Sequence, residues 1–206
     1  AVAVAPTILS SIDPSVVWYA GGDLDVNSAK NHHSYVGSQY SDIQNLPLQE
    51  TTFITGCCVL IRVSEATMLD EKYFLYWEDA DWCANMAQLG KKLLYLPSAS
   101  LLHHTSTSLG SRSPQYAYYN IRNHYLFANK WTRGYGKLRA LTSIHWIALK
   151  YVLLSIKTPG KLLLITEYVV RALRGGKSES ADVWNPVPYI NVVCRLLLEK
   201  RSTQVR

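Results

Sequence analysis

The stretch Tyr73-Phe74-Leu75-Tyr76-Trp77-Glu78-Asp79-Ala80-Asp81-Trp82-Cys83 sets three carboxylates within four positions, behind an aromatic run and ahead of a helical pattern. Like charges this close repel one another, so a sequence that keeps them together points to a proton acceptor or a cation site. Asp and Glu are also favoured in a first helical turn, where they meet free N–H groups and the positive end of the helix dipole. On residue types alone both readings stand.

Working outward, Trp82, Cys83, Met86, Ala87 and Leu89 supply one apolar face and Gly90 is placed to stop it, which predicts a helix from Asp79 or Asp81 to about Leu89. Leu93 to Pro97 is strand-like, Ser98 to Ser113 reads as a polar loop, and Tyr116 to Lys130 has the length and pattern of a helix. Upstream, residues 1 to 10 and Val16 to Ala20 read as buried strands, the second stopped by Gly21-Gly22 and an Asp23-Leu24-Asp25 turn. Asn27 to Gln49 is polar and without period, an excursion over the active face; Phe53 to Val63 is an apolar run of strand length, and Ser64 suits the cap of a short helix. Strands alternating with helices imply an α/β sheet, whose ligand would sit in the loops at strand ends.

The order of these pieces is more specific than any one of them. Thr55-Gly56 and the run to Arg62, the acid cluster, Gly90, the strand to Pro97, His103, Ser108 and Tyr118-Tyr119-Asn120-Ile121-Arg122-Asn123 follow in one sequence. That order resembles the C-terminal half of family 2 glycosyltransferases of the GT-A fold, particularly the bacterial rhamnosyltransferase-like branch, over roughly Val16 to Asn129. The resemblance implies an incomplete GT-A sheet, the nucleotide-diphospho-sugar transferase fold, followed by C-terminal amphipathic helices. Residues 1–130 would be the C-terminal half of the catalytic domain and 131–206 a basic, apolar helical tail. The chain would then begin mid-domain.

Such enzymes move a sugar from a nucleotide diphosphate to an alcohol, and inverting members use one carboxylate to take the hydroxyl proton. The resemblance implies that Asp79 is that base, that Glu78 orients or tunes it, and that Asp81 caps the helix. It matches Arg122 and Asn123 to an element suited to diphosphate oxygens, and His103 to a residue near the diphosphate or the cation. Gly56 would allow close backbone approach to bound sugar, and Trp77, with Tyr76, would stack on an acceptor ring. Each has a plainer reading: loop hydrogen bonding for His103, a structural ion pair for Arg122, a tight strand start for Gly56, core packing for the aromatics. A divalent cation, Mg or Mn, is implied, its main ligands expected upstream of Ala1, because Asp23-Leu24-Asp25 falls beyond the place of the family's DxD. Asn85 stands where the family usually has an Arg, which leaves the acids without an evident charge partner.

The 206 residues are 48% hydrophobic and 17% charged, a folded composition rather than a disordered one. Cysteines at 57, 58, 83 and 194 form no CxxC pair and read as small buried hydrophobes, not a disulfide framework or zinc site. Net charge divides sharply: seven Lys/Arg against eleven Asp/Glu up to Asn129, fourteen against four from Lys130 on. In the tail the cations are interleaved with apolar stretches, Leu138 to Lys157, Lys161 to Arg174 and Ile190 to Leu198, which favours an anionic membrane surface over nucleic acid. Arg139, Ser143, Lys150 and Lys157 fall on one stripe of the first segment, which fits either a helix at a lipid interface or one packed on the parent domain. The expectation is a transferase serving a cell-surface polysaccharide or its lipid-linked precursor, peripheral on the cytoplasmic face of the plasma membrane. The alternatives are a non-catalytic membrane-surface module and a metal-dependent hydrolase built on Glu78, Asp79, Asp81 and His103.

Overall fold

The computed structural model describes residues 1–103, 113–156 and 159–175. In chain order the strands are β1 (Ala3–Ser10), β2 (Val17–Tyr19), β3 (Gly22–Asp25), β4 (Lys30–His33), β5 (Gln49–Thr51), β6 (Leu60–Ile61) and β7 (Leu93–His103). The helices are α1 (Tyr40–Ile43), α2 (Glu78–Gln88), α3 (Pro114–Trp131), α4 (Gly134–Ser155) and α5 (Pro159–Gly175). The architecture is mixed α/β. β2, β1, β7 and β5 lie side by side, with β6 also on β1; β1 and β7 run parallel and the other pairings are antiparallel. The β3–β4 hairpin forms a separate two-stranded sheet.

β1 is apolar nearly throughout because both of its faces are covered. Ala3, Ala5 and Ile8 join the main core with Phe53, Met86, Ile121 and Phe127, while Leu9 joins a smaller cluster with Val17, Ile43 and Tyr95 beside α1. The main core continues without a break into α4 and α5 through Ala140, Ile144, Ala148, Ile165 and Val169.

Several local expectations change. Pro97 does not end its strand. Pro6 pairs with Leu96 and Thr7 with Ser100, so β7 bulges where proline has no N–H to give and then resumes to His103. The buried Thr7 hydroxyl lies 3.1 Å from the Pro97 carbonyl and donates to it, and 2.8 Å from the Tyr95 hydroxyl. Asp23-Leu24-Asp25 is a strand, not a turn; the reversal follows it, where Asp25 accepts from the Asn27 and Ser28 amides. The apolar run from Phe53 gives only the two-residue β6, its first residues being buried without strand partners, and Val63–Glu65 is a single 3-10 turn that Ser64 does not cap. Ser108, Cys194 and the apolar segment Ile190 to Leu198 lie outside the described residues.

α2 ends as expected. Gly90 is left-handed at φ +67°, its amide donates to the Ala87 carbonyl and that of Lys91 to Met86 O, a Schellman closure. α3 starts at Ser113, whose hydroxyl accepts from the Tyr116 amide, with Pro114 in the first turn.

Candidate functional site

The acids are presented by a strained turn. Tyr76 and Trp77 both have positive φ, 68° and 71°, a conformation that costs a bulky L-residue on the order of 1–3 kcal/mol and persists only where surroundings enforce it. Here α3 enforces it. Asn123, 0% exposed, donates through Nδ2 to Leu75 O at 2.7 Å and Tyr76 O at 2.9 Å. Arg122 donates to Asn123 Oδ1 at 2.7 Å and Lys72 O at 2.8 Å, which fixes the amide and the start of the turn. Trp77 donates from Nε1 to Asn120 Oδ1 at 2.9 Å, stacks on His124 with centroids 4.0 Å apart, and packs on Phe127. His124 is itself buried, 2.7 Å from the Ala29 carbonyl to which its neutral ring donates; burial pushes its pKa down to about 4.

The consequence falls on Glu78 and Asp79 at the start of α2. Asp79 accepts the Gly56 amide on Oδ2 at 3.1 Å and the Ala80 amide on Oδ1 at 2.8 Å. Asp79 thus sits in the first turn of α2, where the helix dipole also favours its anion. Glu78 has no comparable support: both residues are half-buried, but Glu78 Oε2 is sealed from solvent with no hydrogen-bond partner among the described residues. Burial first, and then the neighbouring Asp79 carboxylate, push the Glu78 carboxyl up to about 8. Burial also raises Asp79, against the two backbone donors that favour its anion. The environments differ: the backbone donors on Asp79 favour its anion against burial, while Glu78 is raised by burial and then by the Asp79 charge beside it.

Asp81 does not cap the helix. It is 1% exposed and accepts from Lys130 Nζ at 2.7 Å, Trp131 Nε1 at 2.7 Å, Tyr73 Oη at 3.2 Å and Asn85 Nδ2 at 3.1 Å. The charge partner absent at position 85 is thus supplied from the end of α3, while Asn85 contributes a neutral donor to the same carboxylate.

The remaining expected residues divide. Gly56 is exposed and lies against both acids: a Cβ built there would sit 3.8 Å from Asp79 Cβ and 3.9 Å from Glu78 Oε1. Trp77, 8% exposed, spends its ring on His124 and Phe127, so the core reading replaces stacking on a sugar. Arg122 is buried and directed at Lys72 O and Asn123, so it and Asn123 hold the turn rather than face a diphosphate. His103 ends β7 with its ring 4.8 Å from that of Trp18. The support from Asn120, His124, Lys130 and Trp131 escaped the sequence reading. The recurrence of Asn120, Asn123, His124 and Phe127 at helical spacing was its one available signal.

Among the described residues, Glu78 and Asp79 line neither of two surface hollows. One, about 430 Å³ and polar, lies between the β3–β4 hairpin and β5, with Asp23, His32, Tyr35, Glu50 and Tyr95 in its walls. The other, about 450 Å³, is an apolar groove along α4. Among the described residues no three His, Cys, Asp or Glu side chains are grouped to hold a metal ion, so the hydrolase arrangement of Glu78, Asp79, Asp81 and His103 is not assembled there.

The chain is 32% identical over 78 residues to N-acetylglucosaminyl-diphospho-decaprenol L-rhamnosyltransferase of Mycobacterium tuberculosis, in strains CDC 1551 / Oshkosh and ATCC 25618 / H37Rv alike. The match takes in 36% of this chain and 25% of the relative, so the chain spans about a quarter of the length of the curated proteins it matches. The relationship is glycosyltransferase-like and partial. No protein-family model matches the chain.

Proposed function

We propose that this chain is the acceptor-side portion of a family 2, GT-A glycosyltransferase that transfers a sugar, rhamnose in the simplest case, from a nucleotide diphosphate to a hydroxyl of a lipid-linked or polysaccharide acceptor. The observation that carries the reading is the asymmetric pair Glu78–Asp79, one carboxylate accepting the Gly56 and Ala80 amides and the other with its Oε2 buried without a partner among the described residues, on a turn that α3 holds in a costly conformation.

In this reading the ionised Asp79 accepts the acceptor hydroxyl proton as that oxygen attacks the anomeric carbon. The carbon–oxygen bond to the diphosphate breaks and the diphosphate leaves as an anion. Neutral Glu78 adds no second charge beside the base and keeps the site uncharged apart from it. Gly56 leaves the face beside the acids open, where any larger residue would project toward the incoming hydroxyl. A divalent cation, when bound, would neutralise the leaving diphosphate. Among the described residues His103 is a candidate ligand but no metal set is completed, so in this reading the remaining ligands and the donor site belong to other parts of the enzyme.

The test is a protein joining this chain to the rest of the transferase, assayed with dTDP-rhamnose and an N-acetylglucosaminyl-diphospho-polyprenol acceptor. Asp79→Asn lowers kcat by 100-fold or more, within the range for losing a general base, and Glu78→Gln by about tenfold or less, since Gln keeps the neutral form. The competing reading, acids that only start a helix, is favoured by the Ala80 amide on Asp79. It requires Asp79→Asn to transfer sugar at the normal rate.

A further inference from the structure

α4 has two apolar faces, and only one is covered. Ala140, Ile144, Ala148 and Ser155 are buried in the main core or against α3 and α5. On the opposite side Leu138, Leu149, Leu153 and Ile156 follow at helical intervals with Trp146, 56% exposed, beside them. These side chains line or extend the apolar groove, which also includes Leu141, Thr142 and His145. Globular helices need one apolar stripe, not two.

The charges on this helix have a single sign. α4 carries Lys137, Arg139 and Lys150 and no Asp or Glu. Arg139 and Lys150, both exposed and eleven residues apart, flank the apolar stripe on one side, and Lys150 Nζ lies 5.6 Å from the Trp146 ring centroid. Exposed Arg133 extends the positive edge at the entry to the helix. Aliphatic side chains, a tryptophan and flanking cations, Arg139 near Asp25 of the β3–β4 hairpin and Lys150 beside Trp146, are the complement of a bilayer surface bearing negative headgroups: apolar groups enter the acyl boundary while the cations reach the phosphates. No described helix is long and apolar enough to cross a membrane.

We infer that the outer face of α4, centred on Leu138, Trp146 and Leu149 and edged by Arg139 and Lys150, docks this protein flat on an anionic lipid surface. The inner face then ties the docked helix to the acid turn. Tyr151 Oη of α4 accepts from Asn120 Nδ2 at 3.2 Å, and Asn120 Oδ1 accepts from Trp77, the residue before Glu78, at 2.9 Å. Docking through α4 thus fixes the carboxylates relative to the bilayer from which a lipid-linked hydroxyl would be presented.

The experiment is co-sedimentation of the full chain with phosphatidylcholine vesicles with and without phosphatidylglycerol, which needs no sugar transfer and so succeeds or fails independently of the proposed activity. Binding is expected only with the anionic lipid and to weaken with salt. Arg139→Gln with Lys150→Gln lowers it roughly thirty-fold, from about 1 kcal/mol for each cation at the surface, and Leu149→Glu lowers it at least as much. Circular dichroism of these surface variants stays that of the parent. Equal binding to neutral vesicles, or variants that bind as well as the parent, overturns the inference. So does a fall in oligomer mass with Leu149→Glu, which assigns the face to a second copy, or binding that appears only after residues 176–206 are removed, which assigns it to the chain's own terminus.

Discussion

Replacing Glu78 with Gln should stabilise the protein, by an amount that grows with pH. In the folded chain the carboxyl titrates at about 8 against an ordinary 4.5, so folding favours its protonated form. The sign follows from linkage: between these two values the folded state holds more protons than the unfolded one, so stability is lost as pH rises from about 4.5 to about 8, at up to about 1.4 kcal/mol per pH unit. At pH 7 the wild-type penalty is of order 2–3 kcal/mol once the partial exposure of the residue is allowed for. Glu78→Gln removes it. Thermal melts of both proteins from pH 4 to pH 8.5 should coincide at the acid end and diverge by roughly 5–10 °C near pH 7, taking about 2–4 °C per kcal/mol at this size. Acid loss from the buried neutral His124, between about 6.5 and 4, affects both proteins equally and cancels in the difference. Melting curves that run parallel across the whole range, or a variant less stable at pH 8, would refute the claim that the Glu78 oxygen is an unsupported buried carboxyl.

Other outcomes follow from the same geometry. Asn123→Ala removes both donors from the Leu75 and Tyr76 carbonyls and should cost about 2–4 kcal/mol by urea unfolding. In the complete enzyme it should lower kcat more than it raises the donor KM, since it moves the acids and touches no substrate. Lys130→Met leaves the Asp81 carboxylate buried without its cation and should cost about 3 kcal/mol, with Lys130→Arg restoring much of it. Gly56→Ala meets only ordinary contacts, at 3.8 Å and beyond, so stability should change by less than about 0.5 kcal/mol while transfer falls because a methyl stands over the carboxylates. A parallel loss of stability and activity in that variant would make Gly56 a structural residue.

What the sequence made legible was local. The helix over the acids, its glycine stop and the helix over Tyr116 to Lys130 were readable because apolar spacing and helix ends are short-range signals, and α2 and α3 follow them to within a few residues. The end of β7 was misread because Pro97 breaks strands in general, and only the parallel register with β1 reveals a bulge instead. The acid cluster was located, but its three carboxylates have three different environments set by Gly56, by Lys130 with Trp131, and by nothing at all for Glu78 Oε2. Those partners lie between 23 and 50 positions away, beyond any periodicity. Arg122 and Asn123 were singled out together for diphosphate oxygens, but their contacts here, clasping the carbonyls of a left-handed turn, depend on backbone angles that a sequence does not display.

The Asp81 carboxylate draws two of its four side-chain donors from residues 130 and 131, where the negative half of the chain gives way to the positive half. A recombination event that cut there would strand an anion in the protein interior. Exchange of C-terminal helices between relatives is therefore restricted to donors that bring a cation and an indole, or their equivalents, to that junction. The acid-bearing helix and the basic bundle are heritable as one piece.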